Sequence, residues 1–248
     1  MIEVKNVSKG FYGRTVLDNV SHVFEKGKVN LVIGESGSGK TVLVKCMVGL
    51  FDVDKGSIEY DSRNFSEMDF KERRPIRREI GMLFQGSALF DSMNVEQNVM
   101  FPLMMLSNMP LSERIEKANL CLQRVNLPNS NKLFPSELSG GMKKRVAIAR
   151  AIAMNPKYLY CDEPNSGLDP RTSIVIDELI MELTEEYQTT TVINTHDMNS
   201  VMTMGENILF IHKGKKWWSG RADEILHSGN SELDEFVFAS KIMQGLRK

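Results

Sequence analysis

GESGSGKT, running from Gly34 to Thr41, is the stretch from which the fold of this chain can be read. Gly34, Gly39, Lys40 and Thr41 stand at the fixed positions of a phosphate-binding loop. The flanks fit that pattern too. Val29, Leu31, Val32 and Ile33 predict a buried strand before the loop, and Thr41 to Val48 (TVLVKCMV) predict a helix after it. Glycines in such a turn let the backbone wrap an anion with its N–H groups, whose donors add to the positive end of the helix dipole. Lys40 then offers a point charge to the outer phosphates, and the Thr41 hydroxyl can ligate Mg²⁺. The candidate phosphate-binding set is therefore Gly34, Glu35, Ser36, Gly37, Ser38, Gly39, Lys40, Thr41 and Val42.

Working outward, YLYCDE (Tyr158 to Glu163) is an apolar and aromatic run ending in two acids, followed by Pro164. Carboxylates at the end of a buried strand face the crevice where open α/β sheets bind ligands. Asp162 would hold the Mg²⁺ shell, and Glu163, turned differently one residue on, is the natural base for an attacking water. An isolated Asp-Glu pair would be read as a solvated acidic turn; beside a phosphate loop it reads as chemistry. Upstream lies LSGGMKKR, Leu138 to Arg145. Ser139 is a good N-cap, Gly140 and Gly141 permit close backbone approach, and Met142 to Ala153 is strongly helical, so this helix start is a second candidate anion site.

Taken together, GESGSGKT, LFQ ending at Gln85, LSGGM, YLYCDEP, SGLDP at Ser166 to Pro170 and NTHD at Asn194 to Asp197 resemble the ATP-binding cassette (ABC) ATPases in order and spacing across nearly the whole chain. The resemblance implies an α/β fold: a phosphate-loop, RecA-like, mostly parallel core with an antiparallel β layer and a helical signature subdomain. It implies ATP and Mg²⁺ as ligands, and a head-to-tail homodimer in which Ser139, Gly140 and Gly141 close over the γ-phosphate held by the opposite subunit. Gln85 would touch metal and water, His196 would contact the γ-phosphate and steady the water with Glu163, and Asp169 would lie at the subunit boundary besides capping a helix from Arg171 to Glu186. Phe11 lies where the family places a ring that stacks on adenine, with Tyr12 as the neighbouring candidate. His22, His212 and His227 match no functional position.

A narrower resemblance follows from the segment after Gln85. ALF, then NV-x-x-NV, then PL, together with Met142 where most relatives have Gln, is similar to the ATPases of Mla-type phospholipid transporters. That implies an MlaE-like integral membrane permease and a mammalian-cell-entry (MCE) domain lipid-binding protein as partners, with the chain peripheral on the cytoplasmic face of the inner membrane. An amino-acid importer would carry the same catalytic residues. The segment Gly86 to Leu106 is rich in Met and Phe, and methionine-rich surface adapts to a partner helix.

The 248 residues suffice for one large core. The net charge of −1 gives no bulk drive toward nucleic acid. Lys71, Arg73, Arg74, Arg77 and Arg78 alternate with acids and read as the solvated side of a surface helix. Cys46, Cys121 and Cys161 lack metal spacing and suit a reducing compartment. No apolar run approaches the ~20 residues of a membrane span, so a transporter's membrane path would belong to another chain. No sustained heptads separate the phosphate loop from LSGG, unlike chromosome-clamp ATPases, and only one cassette is present, unlike most ribosome-binding ones.

The expected organisation is one ABC ATPase domain over 1–230, with 1–85 and 156–230 as the catalytic core and its antiparallel layer, 86–155 as the helical subdomain, and 231–248 as a C-terminal helical tail. Short strands are expected in residues 1–30 and 56–61. Ser112 is expected to cap a helix bearing Ile115, Ala118, Leu122 and Val125, and Asn155-Pro156 to break the signature helix.

Overall fold

Three strands of five residues, Val29–Ile33, Tyr158–Asp162 and Thr190–Asn194, are buried at every position. Strands covered on both faces belong to parallel sheets flanked by helices, and the protein is a mixed α/β fold of that kind. The computed structural model describes residues 1–238. In chain order it begins β1 (Ile2–Phe11), β2 (Arg14–Phe24), β3 (Val29–Ile33), α1 (Lys40–Met47), β4 (Lys55–Tyr60) and β5 (Arg63–Asn64). It continues α2 (Arg73–Arg78), β6 (Ile80–Leu83), α3 (Val95–Leu106), α4 (Leu111–Arg124), α5 (Gly140–Ile152), β7 (Tyr158–Asp162) and α6 (Pro170–Tyr187). It closes with β8 (Thr190–Asn194), α7 (Met198–Met204), β9 (Asn207–His212), β10 (Lys215–Gly220), α8 (Ala222–Ile225) and α9 (Ser231–Val237). The chain divides into two units.

The first unit takes residues 1–73 and the described residues from Thr190 onward. Its antiparallel sheet has the order β2-β1-β4-β5. Short strands were expected in residues 1–30, but β1 and β2 run for 10 and 11 residues, paired from Ile2 opposite Phe24 to Phe11 opposite Arg14. The hairpin is tight because Tyr12 and Gly13 both adopt positive φ (50° and 78°), the two-residue turn whose twist matches that of its strands. β3 lies between β8 and β9, parallel to both, and β10 returns antiparallel on β9. Asn30, polar inside β3, is fully buried and fully bonded. It accepts from the Glu25 amide (2.7 Å) and Asn207 Nδ2 (2.8 Å), and donates to the carbonyls of Glu25, Lys28 and Thr191 (3.0 Å each).

The second unit spans Arg74–Thr189. β6 and β7 pair in parallel, from Ile80 opposite Tyr158 to Leu83 opposite Cys161, and α3 packs on both α4 and α5. Asn94 caps α3 in a reciprocal box with Gln97, and Asn98 ties the preceding loop by accepting from the Phe90 amide (2.8 Å) and donating to the carbonyls of Phe90, Met93 and Asn94. Asp169 caps α6 through the amides of Arg171 and Thr172, with Pro170 at the first helical position.

Two expectations are corrected. Ser112 is no cap: α4 already starts at Leu111, with Pro110 in the extended N-cap conformation that its ring favours (φ −63°). Arg73 is not part of a solvated face. Its guanidinium lies 4.9 Å from the Phe65 ring centroid, pairs with Asp52 at 2.7 Å, and donates to the carbonyls of Phe65 and Ser66. A long cationic side chain here covers apolar surface while its planar head satisfies chain carbonyls. Of the tail expected to be helical from Ser231 to Lys248, Ser231–Val237 forms α9, and residues 239–248 lie outside the described residues. Among the described residues no helix is long and apolar enough to cross a membrane. Burial pushes the thiols of Cys46 and Cys121 up to about 11 and that of Cys161 up to about 12, so all three are protonated packing groups.

Candidate functional site

The predicted site residues divide between the two units. In the first, the turn from β3 into α1 holds the phosphate loop. Gly34 has φ 145°, and a Cβ there would stand 2.2 Å from the Ile211 carbonyl oxygen, so no other residue fits without displacing β9. Gly39 occupies the N-cap position of α1 at φ 109° and offers no side chain to the first amides of the helix. Those amides are left for an anion, in contrast to α6, whose amides of Arg171 and Thr172 are taken by Asp169; at α5 Ser139 takes only the amide of Met142. Glu35, Ser36 and Gly37 are exposed at the lip; Ser38, Gly39 and Lys40 are buried behind it, and Thr41 and Val42 are half-buried. Lys40 Nζ donates to the carbonyls of Gly34 and Glu35, both at 2.8 Å, which holds the ammonium over the mouth of the loop. The buried Ser38 hydroxyl has no hydrogen-bond partner among the described residues. An unsatisfied hydroxyl, an uncapped helix start and a lysine in one loop fit a bound phosphate chain.

Thr41 Oγ1 accepts from Asn194 Nδ2 at 3.1 Å. A hydroxyl has a second lone pair, so this bond aims Thr41 while leaving room for a cation ligand. Asn194 ends β8 inside the apolar run and is fully buried. His196 follows, exposed, two residues beyond the strand, and Asp197 caps α7. Phe11 packs edge-on against Phe51 with ring centroids 5.1 Å apart, and Lys9 Nζ lies 5.4 Å from the Phe11 centroid. Tyr12 beside it is fully exposed.

In the second unit the structure brings together two residues 78 positions apart: Gln85 Nε2 donates to Glu163 Oε2 at 2.7 Å. Gln85 follows β6 and Glu163 follows β7, so the parallel pairing of these strands sets their side chains side by side. Asp162 is buried as the last residue of β7. Glu163 has φ 48°, a left-handed conformation that a non-glycine residue adopts at a cost. Ser139 Oγ accepts from the Met142 amide at 3.3 Å at the head of α5. The two glycines after it differ. A Cβ on Gly141 would come within 2.6 Å of Thr172 Cγ2, whereas one on Gly140 would meet only ordinary contact with Leu168 at 3.5 Å. A side chain on Gly141 would therefore force Thr172 to shift, while one on the exposed Gly140 would not disturb its neighbours. Asp169 accepts from the Thr172 hydroxyl and from the amides of Thr172 and Arg171, which hold its carboxyl below the ordinary carboxylate range.

With this geometry in view, a family model described as ABC transporter matches residues 17–166. The chain belongs to the ABC transporter ATPases. This cassette is 37% identical over 259 residues to the methionine import ATP-binding protein MetN of Campylobacter jejuni, covering 98% of this chain and 77% of that protein. It is 35% identical over 241 residues to the "Probable ribonucleotide transport ATP-binding protein mkl" of Mycobacterium leprae, covering 97% and 70%. Among solved structures it is similar to the dimeric bacterial ABC transporter cassette MJ0796, with 33% identity and a TM-score of 0.82 over 90% of this chain and 99% of that one. The likeness extends to a dimeric post-hydrolysis state of MJ0796 bound to ADP and Pi, at 32% identity and a TM-score of 0.81. This ABC chain is an ATPase, the ATP-hydrolysing motor of a transporter.

Three residues of this cassette acquire a role only in the structure: Asn194, Lys144 and Arg150. Asn194 was visible as an amide ending an apolar strand. Lys144 lies on the same helical stripe as Ala147, Ile148 and Ala151, all buried, and a cation on that stripe is the signal that could have found it. Its Nζ donates to the carbonyls of Gln85 and Glu163.

Proposed function

We propose that this cassette pairs head to tail with a second copy, closes on two ATP molecules, and drives a membrane permease from the cytoplasmic face of the inner membrane, with phospholipid as cargo. In this reading the loop amides from Gly34 to Thr41 and Lys40 neutralise the phosphates, and Phe11 or Tyr12 covers the base. Ser139, Gly140 and Gly141 complete the cage from the other copy, and the exposure of Ser139 and Gly140 supports an approach from outside the chain. Glu163 orients the water and takes its proton, steadied by Gln85 and His196. Thr41, Asp162 and Gln85 would hold Mg²⁺, which when bound offsets the charge developing on the transferred phosphoryl group. Residues 86–155 serve as the helical subdomain.

The observation that carries the permease is an apolar cavity of about 370 Å³ wholly within the second unit. Phe84, Phe90, Phe101, Pro102 and Leu106 line it, and Phe84 directly precedes Gln85. An open apolar recess of this kind accepts a partner's helix, and its wall lies one residue from the group that touches Glu163. The phospholipid reading rests on the wording of the segment 88–103 and on Met142, which resemble Mla-type ATPases and imply an MlaE-like permease with an MCE-domain protein. A second reading, an amino-acid importer, is favoured by the 37% identity to a methionine import ATPase. Asn94 and Asn98 have local tasks as cap and loop tether, so those two positions speak for a shared loop geometry rather than for a cargo.

Glu163→Gln should bind ATP, turn it over about 10²–10⁴-fold more slowly, and run as a dimer in ATP by light scattering. Ordinary turnover would remove Glu163 from the mechanism, and a monomer at high concentration beside its membrane partner would remove the dimer. Purification of that partner decides the cargo: bound phospholipid supports the first reading and a captured amino acid the second.

A further inference from the structure

We propose that Lys144 is a positioning residue for hydrolysis: from the helix headed by Ser139 it fixes the backbone on both sides of the Gln85–Glu163 pair. The inference rests on the reading of Glu163 as the group that orients water. Lys144 is buried, and its Nζ reaches two carbonyls, that of Gln85 and, at 3.3 Å, that of Glu163. These belong to the two residues whose side chains meet at 2.7 Å. One ammonium therefore bridges the main chain beneath a hydrogen bond that joins the side chains above it.

The bridge matters because the backbone it holds is not at rest. Glu163 sits at φ 48°, and Ser87 and Ala88, just past Gln85, sit at 63° and 47°. Left-handed non-glycine residues persist only where neighbours over-determine them. A second cation of α5 does this for the Gln85 side: Arg150 donates to the carbonyls of Ser87 and Ala88, both at 2.7 Å. Two turns of one helix thus pin both strained segments. Burial lowers the Lys144 pKa, the expected cost of an ammonium kept from water, while the nearby Asp162 and Glu163 charges oppose that shift. Met, Leu or Gln would fill the same stripe without that cost, so the charge itself has a use. Because Ser139 caps α5, any displacement of the helix start is transmitted through Lys144 to the residues that hold the water.

The test is steady-state ATP hydrolysis by the full-length chain with its permease partner, comparing Lys144→Met and Lys144→Arg with Glu163→Gln alongside. Lys144→Met should lower kcat by about 10²-fold and leave the KM for ATP within about twofold, since the phosphate loop is untouched. Lys144→Arg, which keeps a donor for both carbonyls, should recover at least a tenth of the wild-type kcat. In the Glu163→Gln background, Lys144→Met should add no further loss, because it acts through the group already removed. An unchanged kcat in Lys144→Met, a loss expressed in KM, or a loss that multiplies with Glu163→Gln would overturn the proposal. Should Lys144→Met fail to fold, Lys144→Arg and Lys144→Gln decide it by the same split: Arg active and Gln slow at unchanged KM supports positioning, and equal rates refute it. Normal turnover by Glu163→Gln would instead sink the underlying reading of Glu163, which separates the two failures.

Discussion

The phosphate loop and the segments that follow β6 and β7 all bend through the left-handed region of backbone space, and they do so by opposite means. The phosphate loop uses glycine at its three such positions, Gly34, Gly37 and Gly39. The segments after β6 and β7 use Ser87, Ala88 and Glu163, residues that pay a steric cost there and are held by Lys144 and Arg150 from α5. A glycine loop takes its shape from its own residues and can wait preformed for a ligand. A strained loop keeps its shape only while a distant element holds it, so its geometry can report where that element is. The first arrangement suits binding, and the second suits a group whose alignment must change during a cycle.

The largest expected break in this comparison is Gly34→Ala. The added Cβ would stand only 2.2 Å from the Ile211 carbonyl oxygen, a backbone atom of β9, at a φ that L side chains rarely adopt. Nucleotide affinity should fall by at least 10²-fold in a fluorescent-nucleotide titration, on the order of 3 kcal/mol, with no rescue by changes in α5. Next comes Arg150→Met, which removes two charge-assisted bonds from Ser87 and Ala88. Unfolding in urea should show a loss of roughly 1.5–3 kcal/mol, with an unchanged slope if only the native loop is affected. The smallest effect sharpens the contrast. Ala88→Gly relieves a left-handed residue and should cost less than about 0.5 kcal/mol alone, the relief of strain offsetting glycine's entropy. In the Arg150→Met background it should restore about 0.5–1 kcal/mol, since the unheld loop benefits most from glycine. Strict additivity of the pair would mean that Arg150 does not hold the loop against strain.

Legibility followed the same division. The strands ending near Ile33 and Asp162, the caps at Ser139 and Asp169, and the loop at Gly34 are all readable because each depends on neighbours a few residues away. The Gln85–Glu163 pair was foreseen as two separate roles; that their side chains bond directly follows from the β6–β7 register, which no local pattern states. Arg73 falls in a run whose charge pattern predicts a solvated face, and nothing local to LSGGMKKR distinguishes Lys144 from its cationic neighbours; only packing reveals which cation is buried beneath a loop. Phe11 illustrates the limit from the other side: its neighbour Phe51 is 40 residues away, so its edge-on packing could not be seen in the hairpin's own sequence.

By itself, then, the order of residues determined the chemistry on offer: a glycine turn for phosphate, acids at a strand end, a capped helix with two glycines. Tertiary structure decided which of these groups touch and which backbone is strained. The reason is range. Steric freedom and capping act within one or two turns of chain, whereas a buried ammonium finds its carbonyls only after strands and helices from distant stretches have packed against one another.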